Sequence, residues 1–318
     1  MEPSGINHNP TEGQPVLTEF LKAKLTFLER HNISPVLFAF ISLIILFGTY
    51  QIVGGVMTLL VYGAQITTNN VNGIRWFTMF CQLVFLLLPT LLLTKLATFK
   101  PMDFLRLNKV SFLQSVLAIV GIFSLQQILQ VYMVFQDKIP IPQSIQPQLD
   151  QIKQMMEEAY KVLAGSSNFP EMLFVVLVVA LVPAFSEELL FRGLVQRSLE
   201  KSLNVRKGII ITGMVFGAFH LNPFSFVPLA AIGIYLGFLT AKSESIISSI
   251  TAHFFNNFIA ILALRFGYGD NDLITGKAAE LSTEELSITF IVSTVVFVLS
   301  IYYFISVSEK KINLNKEE

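Results

Sequence analysis

The sequence predicts an all-α, polytopic membrane protein with about eight transmembrane helices around a polar intramembrane cavity. Of its 318 residues, 53% are hydrophobic and only 14% are charged, whereas a typical soluble domain carries about 25% charged residues. The mean hydropathy is +0.62. The apolar residues are gathered into long uncharged runs, near the roughly 20 residues that a helix needs to cross a bilayer. An ordinary soluble enzyme is therefore excluded.

The charge balance and the cysteine content exclude several kinds of partner and site. The chain has 22 basic and 22 acidic residues and a formal net charge of zero, so nothing indicates nucleic acid as a partner. Its single cysteine, Cys81, lies inside an apolar run. One cysteine allows neither an intrachain disulfide framework nor a multi-cysteine metal site.

Eight apolar segments account for the predicted membrane helices. The fifth and sixth are short, and Leu221, Asn222 and Pro223 between them indicate a tight turn. These two segments therefore form either one reentrant pair or two abbreviated helices among longer neighbours. The eight segments are 36–62, 76–95, 110–135, 171–195, 208–221, 224–241, 245–265 and 286–307.

The distribution of basic residues predicts the domain organisation and the topology. We divide the chain into a polar cytoplasmic segment, 1–34, a membrane domain, 35–307, and a cytoplasmic tail, 308–318. Because Lys and Arg accumulate in cytoplasmic loops, the N-terminus is placed inside: that side then holds fifteen basic residues and the other side six. We expect an integral multi-pass protein, in a bacterial inner membrane, with both termini in the cytoplasm.

Two longer connections lie on the predicted outer side. The first, about 136–170, begins with Pro140 and Pro142 and continues with apolar residues at helical spacing. It predicts an amphipathic helix, either at the membrane interface or packed as a lid on the loops. The second, 266–285, carries five acidic residues and predicts a solvated loop.

Ionisable residues within membrane spans are costly and therefore indicate function. At the end of the fourth span, Glu188 and Arg192 are four residues apart, so they can pair on one helix face. Glu187 is rotated by about 100° from Glu188 and stays free in an apolar wall, as a general base requires. Taken alone, such a cluster is more often an interfacial group of charges.

Polar residues also interrupt the fifth and seventh spans. His253 and Asn257 are one helical turn apart, and so are Phe216 and His220. An imidazole and an amide facing one cavity can orient water or stabilise an oxyanion. Each of these residues could instead serve in helix packing; their co-occurrence with Glu187 on separate helices favours a site.

The predicted depths of these groups test that interpretation. With a rise of 1.5 Å per residue, Glu187 lies about 24 Å from the outer side and His253 roughly 13 Å from the inner side. In a hydrocarbon core of about 30 Å, both therefore lie in the inner half. His220 lies roughly 18 Å from its inner start. It reaches Glu187 only if the fourth and fifth helices continue beyond the membrane before they turn.

The ordered set of these motifs resembles the signature of the CPBP intramembrane proteases, which include the type II CAAX prenyl endopeptidases and bacteriocin-processing proteins. The motifs are Glu-Glu-x-x-x-Arg at 187–192, Phe-x-x-x-His at 216–220 and His-x-x-x-Asn at 253–257. The resemblance is strongest over 171–262. It implies an intramembrane endopeptidase that hydrolyses a peptide bond of a membrane-associated protein or peptide.

The resemblance also implies roles for the motif residues. Glu187 activates the attacking water with His220, while His253 and Asn257 stabilise the oxyanion. Glu188, Arg192 and Phe216 support them. The family has been described both as metalloproteases and as metal-independent glutamate proteases. We favour no metal and no cofactor, because no His-Glu-x-x-His motif occurs; in the alternative, Glu187, His220 and His253 bind zinc.

Two other functions use the same residues. In a proton-coupled transporter, the Glu and His side chains would form a proton relay, although the chain shows no internal repeat of the kind on which many transporters are built. In a membrane interaction protein they would have no catalytic role. For the endopeptidase, the expected partners are the lipid bilayer and a membrane-associated protein or peptide as substrate.

Overall fold

The protein is a bundle of long helices. The computed structural model describes residues 25–266 and 282–317, and within these ranges the regular elements are all helices. Two of them, Phe27–Arg30 and Pro101–Phe104, are single turns. The nine longer helices are α1 (Pro35–Tyr62), α2 (Val71–Ala97), α3 (Phe112–Gln136), α4 (Gln146–Ala164), α5 (Phe169–Ser202), α6 (Val205–Phe219), α7 (Phe226–Ser243), α8 (Ile246–Arg265) and α9 (Thr283–Glu317).

The helices agree with the predicted apolar segments, with one difference. Among the described residues, seven helices are long and apolar enough to cross a membrane: all of those named except α4 and α6. A helix forms at the fifth predicted segment as well, but α6 has only 15 residues. It therefore spans about 22 Å along its axis, less than a hydrocarbon core of about 30 Å. The all-α polytopic fold is confirmed.

Helix ends are set by short polar residues. Ser34, Ser111, Asn168, Asn204 and Ser245 each accept a hydrogen bond from a backbone N–H in the first turn of the helix that follows. Such side chains satisfy donors that have no partner inside the helix. The long apolar runs are thereby divided into helices at defined residues.

One end of the bundle, which we call the basic end, is tied together by charged side chains. Arg106 pairs with Glu200 at the end of α5 and, at 3.1 Å, with Glu244 between α7 and α8. Lys242 lies 3.8 Å from Glu309 of α9, and Lys311 donates to the carbonyl oxygen of Lys109. The lysines and the arginine named here all belong to the side that the sequence assigns to the cytoplasm. The cytoplasmic location of this end stays a prediction.

The opposite end is held by a buried arginine. Arg75 of α2 is only 1% exposed and donates to the carbonyl oxygens of Val162, Leu163 and Gly165 at the end of α4. It also pairs with Glu171 at the start of α5, at 2.7 Å. The predicted amphipathic helix is therefore present as α4. Its place, at a membrane interface or as a lid, stays a prediction.

The packing of α6 on α7 depends on glycine. A Cβ atom on Gly213 would lie 2.6 Å from the backbone nitrogen of Ile234, and one on Gly233 would lie 2.9 Å from Gly213. Only glycine allows the two backbones to approach this closely. The contact brings the carbonyl oxygen of Gly233 to the side of α5.

Several predictions lie on residues outside those described. They are the polar segment before residue 25, most of the acidic connection 266–285 and the last residue of the tail. The division into 1–34, 35–307 and 308–318 also stays a prediction, although α1 begins at Pro35.

Candidate functional site

The site is built on the middle of α5, where the helix changes its winding. Two π-helical segments, Val176–Leu181 and Leu189–Gln196, enclose an α-helical segment, Val182–Glu188. Such wide turns are frequent at functional sites because they redirect side chains. The last two residues of the enclosed segment, Glu187 and Glu188, have different neighbours: Glu188 contacts α8, whereas Glu187 contacts α2 and α6.

Glu188 and Arg192 form the pair that their spacing predicts. The Arg192 Nη1 atom donates to Glu188 Oε1 at 2.7 Å, and both side chains are fully buried. Arg192 Nη2 donates to the carbonyl oxygen of Gly233 at 2.8 Å. A buried ion pair needs such further hydrogen bonds, because desolvation of the two charges is costly. The pair fixes α5 against α7.

Phe216 of α6 lies at the centre of the cluster. Its ring is 1% exposed and has the Arg192 guanidinium 4.6 Å from its centroid, a cation–π contact. The rings of His220 and His253 approach it at centroid distances of 4.7 and 5.7 Å, both edge to face. One aromatic side chain thus contacts both site histidines.

His220 ends α6 with a defined hydrogen bond. Its Nδ1 atom lies 2.8 Å from the carbonyl oxygen of Phe216. A carbonyl oxygen only accepts, so Nδ1 carries the proton and Nε2 of the neutral ring is an acceptor. This Nε2 atom lies 4.0 Å from Glu187 Oε2. That distance is too long for a direct hydrogen bond and suits a bridging water.

Glu187 presents one oxygen to that gap. Its Oε1 atom accepts from Gln82 Nε2 at 3.3 Å, and its Oε2 atom is buried without a hydrogen-bond partner. Because a buried carboxylate oxygen normally has a partner, the unpaired Oε2 atom marks a place for one. The sequence analysis did not single out Gln82, although an amide within an apolar run is costly in a membrane and can therefore indicate function.

His253 is held by the other carboxylate. Its Nδ1 atom donates to Glu188 Oε1 at 2.9 Å, and the residue is 4% exposed. Asn257, one turn further along α8, donates from Nδ2 to the carbonyl oxygen of Val179 at 3.1 Å. The structure thus brings together α5, α6 and α8, as the sequence predicts. It also shows that His253 is oriented by Glu188.

An apolar cavity lies among three of the helices that carry site residues. It has a volume of about 310 Å³, and its lining comes from α2, α5 and α8. The predicted polar character therefore belongs to the side-chain cluster, while this cavity is apolar. Its lining residues are Leu83, Leu87, Leu181, Val182, Phe185 and Ile250.

The possible zinc ligands were proposed as one group, and their arrangement can be compared with that of a metal site. Among the described residues there is no group of three His, Cys, Asp or Glu side chains that could hold a metal ion. Of the three proposed zinc ligands, His220 has its Nδ1 atom on a carbonyl oxygen and His253 has its Nδ1 atom on Glu188, so the Nε2 atoms are the ones left to bind a ligand. With no metal site shown in the described part of the chain, the description as a metalloprotease is unsupported, and both the metal-free and the zinc alternative stay predictions.

A comparison with known protein families gives one match. Residues 169–259 match the family model of the Rce1-like type II CAAX prenyl endopeptidases. All seven predicted site residues lie within this segment. No curated protein and no solved structure matches the chain.

The match confirms the resemblance. The matching family consists of CAAX prenyl endopeptidases, which are proteases, and the matching segment lies within a bundle of membrane helices. The chain is an integral, multi-pass membrane protein in which this segment is similar to an endopeptidase.

Proposed function

We propose that the protein hydrolyses a peptide bond within the membrane, with water activated by Glu187 and no metal ion. The observation that carries this proposal is the 4.0 Å gap between Glu187 Oε2 and His220 Nε2. Both atoms are acceptors, so a water in the gap donates one hydrogen to each. Its oxygen lone pairs then face away from both groups, toward a substrate.

The reaction follows from these contacts. Glu187 takes a proton as the water oxygen attacks the peptide carbonyl carbon. The carbonyl oxygen becomes an oxyanion, which the Nε2–H of a protonated His253 and the second amide hydrogen of Asn257 stabilise. Glu187 then gives its proton to the peptide nitrogen, and the C–N bond breaks. Water has supplied OH to the new carboxyl group and H to the new amine.

The burial of the charges supports these roles. Arg192 neutralises Glu188, and a protonated His253 beside Glu188 offsets the charge of Glu187. The cluster is then neutral, as a buried group of charges has to be. Arg192 and Glu188 act as positioning residues, because their hydrogen bonds fix α5, α7 and the ring of His253.

The substrate we propose is a membrane-associated protein or peptide whose cleavage site adjoins an apolar chain. The cavity lined by six apolar side chains is formed by α2, α5 and α8, the helices that carry Gln82, Glu187 and His253, and it extends to the bundle surface, where Leu181 and Phe185 are 47% and 42% exposed. A prenyl group, named in the description of the matching family, has the required chemistry. We place the protein in a bacterial inner membrane with both termini in the cytoplasm, on the distribution of basic residues.

The test uses purified protein in lipid vesicles with a quenched fluorescent peptide that ends in a farnesylated Cys-a-a-X sequence. Because the general base contributes about 10² to 10⁴ in rate, Glu187→Gln should lose at least a hundredfold in kcat while retaining its helical circular dichroism. Glu284→Gln, at an exposed residue of α9, is the matched control and should keep the full rate. Undiminished cleavage by Glu187→Gln, or no cleavage by the unaltered protein, would overturn the proposal.

A further inference from the structure

The helices α1 and α2 lie outside the segment that matches the family, yet each directs a glutamine amide at the site. Gln82 of α2 is 2% exposed and donates to Glu187 Oε1 at 3.3 Å. This contact joins residues 105 positions apart in the chain. It leaves the second carboxylate oxygen, Oε2, turned to His220.

The second glutamine acts at the other side of the gap. Gln51 of α1 donates from Nε2 to the carbonyl oxygen of Phe219 at 2.6 Å. This carbonyl is among the last four of α6, which have no donor within the helix, and it directly precedes His220. The ring of Phe47, one turn before Gln51, packs edge to face on Phe219 at 5.5 Å. The end of α6 that carries His220 is therefore fixed by α1.

The helices α1 and α2 contact each other close to the two glutamines. Gln51 lies in a π-helical segment of α1, Phe47–Gly54, and Gln82 begins a π-helical segment of α2, Gln82–Leu87. The Thr49 hydroxyl donates to the carbonyl oxygen of Phe85 at 2.9 Å and joins the two segments. Both glutamines thus lie in π-helical segments, and a hydrogen bond joins these two segments. Packing of apolar helices alone does not require such an arrangement.

We propose that Gln51 and Gln82 are positioning residues that set the spacing between Glu187 and His220. This inference rests on the proposed function, because the spacing matters only if a reacting water occupies it. Gln82 fixes which carboxylate oxygen faces the gap, and Gln51 fixes where the imidazole is held. Neither residue touches the reacting atoms.

The test compares Gln82→Met, Gln51→Met and the double variant in vesicles with the farnesylated peptide. Methionine has nearly the same shape and removes the donor. A hydrogen bond to a charged group is worth about ten- to a hundredfold and one to a carbonyl about two- to tenfold, so kcat should fall by these factors. KM should stay within about twofold, because no substrate contact is removed. The double variant should lose less than the product of the two single losses, since both residues set one distance.

A matched control separates positioning from folding. Gln114 of α3 is fully buried and donates from Nε2 to Ser308 at 2.9 Å, remote from the site. Gln114→Met should lower the unfolding temperature at least as much as Gln82→Met and leave kcat unchanged. The inference is overturned if both site variants keep kcat within twofold, if KM alone changes, or if Gln114→Met lowers kcat equally. Cleavage that survives Glu187→Gln would overturn the proposed function itself, and a loss in that variant alone would overturn only the inference.

Discussion

Replacement of Arg192 by methionine tests whether the buried ion pair holds the site together. In the native protein the guanidinium bonds to Glu188 at 2.7 Å and to the Gly233 carbonyl at 2.8 Å, and both charged side chains are 0% exposed. Arg192→Met removes the guanidinium and leaves the buried Glu188 carboxylate with His253 as its remaining partner. Breaking a buried pair in this way costs about 3–5 kcal/mol.

The double variant Glu188→Gln with Arg192→Met removes both charges. Apolar or neutral replacement of a whole buried pair is often neutral, and the amide introduced at position 188 still offers a carbonyl oxygen to His253. The remaining loss is the bond to Gly233, about 1 kcal/mol. The double variant should therefore be more stable than Arg192→Met by about 2–4 kcal/mol.

The assay is reversible unfolding in mixed micelles with increasing SDS, followed by circular dichroism. Lys242→Met is the matched control, since Lys242 and Glu309 form an exposed pair at 3.8 Å and such pairs contribute about 0–1 kcal/mol. If Arg192→Met were no less stable than the double variant, the account of an uncompensated buried charge would be wrong.

Two further predictions concern the packing around the site. Gly213→Ala should destabilise the protein by about 1–3 kcal/mol, because the added Cβ lies 2.6 Å from the backbone of Ile234; an unchanged midpoint in the same SDS titration would contradict the close contact of α6 and α7. Arg75→Met should free the end of α4 and leave Glu171 without its cation, so limited proteolysis at residues 164–168 should become faster, while the cleavage pattern at the basic end stays unchanged.

Much of the fold could be predicted because the bilayer imposes simple rules. Hydropathy predicts where long helices lie, and the pairing of Glu188 with Arg192 follows from the 3.6-residue period. The convergence of α5, α6 and α8 followed from the cost of polar groups in apolar surroundings. These rules depend only on local sequence and on the solvent, so no tertiary information was needed.

The parts that were missed depend on contacts between distant residues. Gln51 and Gln82 have partners 168 and 105 positions away, and an amide in an apolar run is otherwise read as contact between helices. The orientation of His253 by Glu188 depends on how α8 rotates against α5. The π-helical segments depart from the 3.6-residue period, so an analysis built on that period does not detect them.

The depth of His220 in the bundle depends on the lengths of the two helices that precede it, α5 and α6. The sequence required the fourth and fifth helices to continue beyond the membrane before they turn; in the structure, α5 runs on to Ser202 and α6 begins at Val205. Glu187 stands fifteen residues before Ser202, the end of α5, and His220 stands fifteen residues after Val205, the start of α6. With a rise of 1.5 Å per residue, the α6 arm of this hairpin is about 22 Å long; the α5 arm has the same number of residues and includes the π-helical segment Leu189–Gln196. A short turn with equal arms returns the imidazole to the level of the carboxylate, so the length of α5 beyond the site is part of how the site is built.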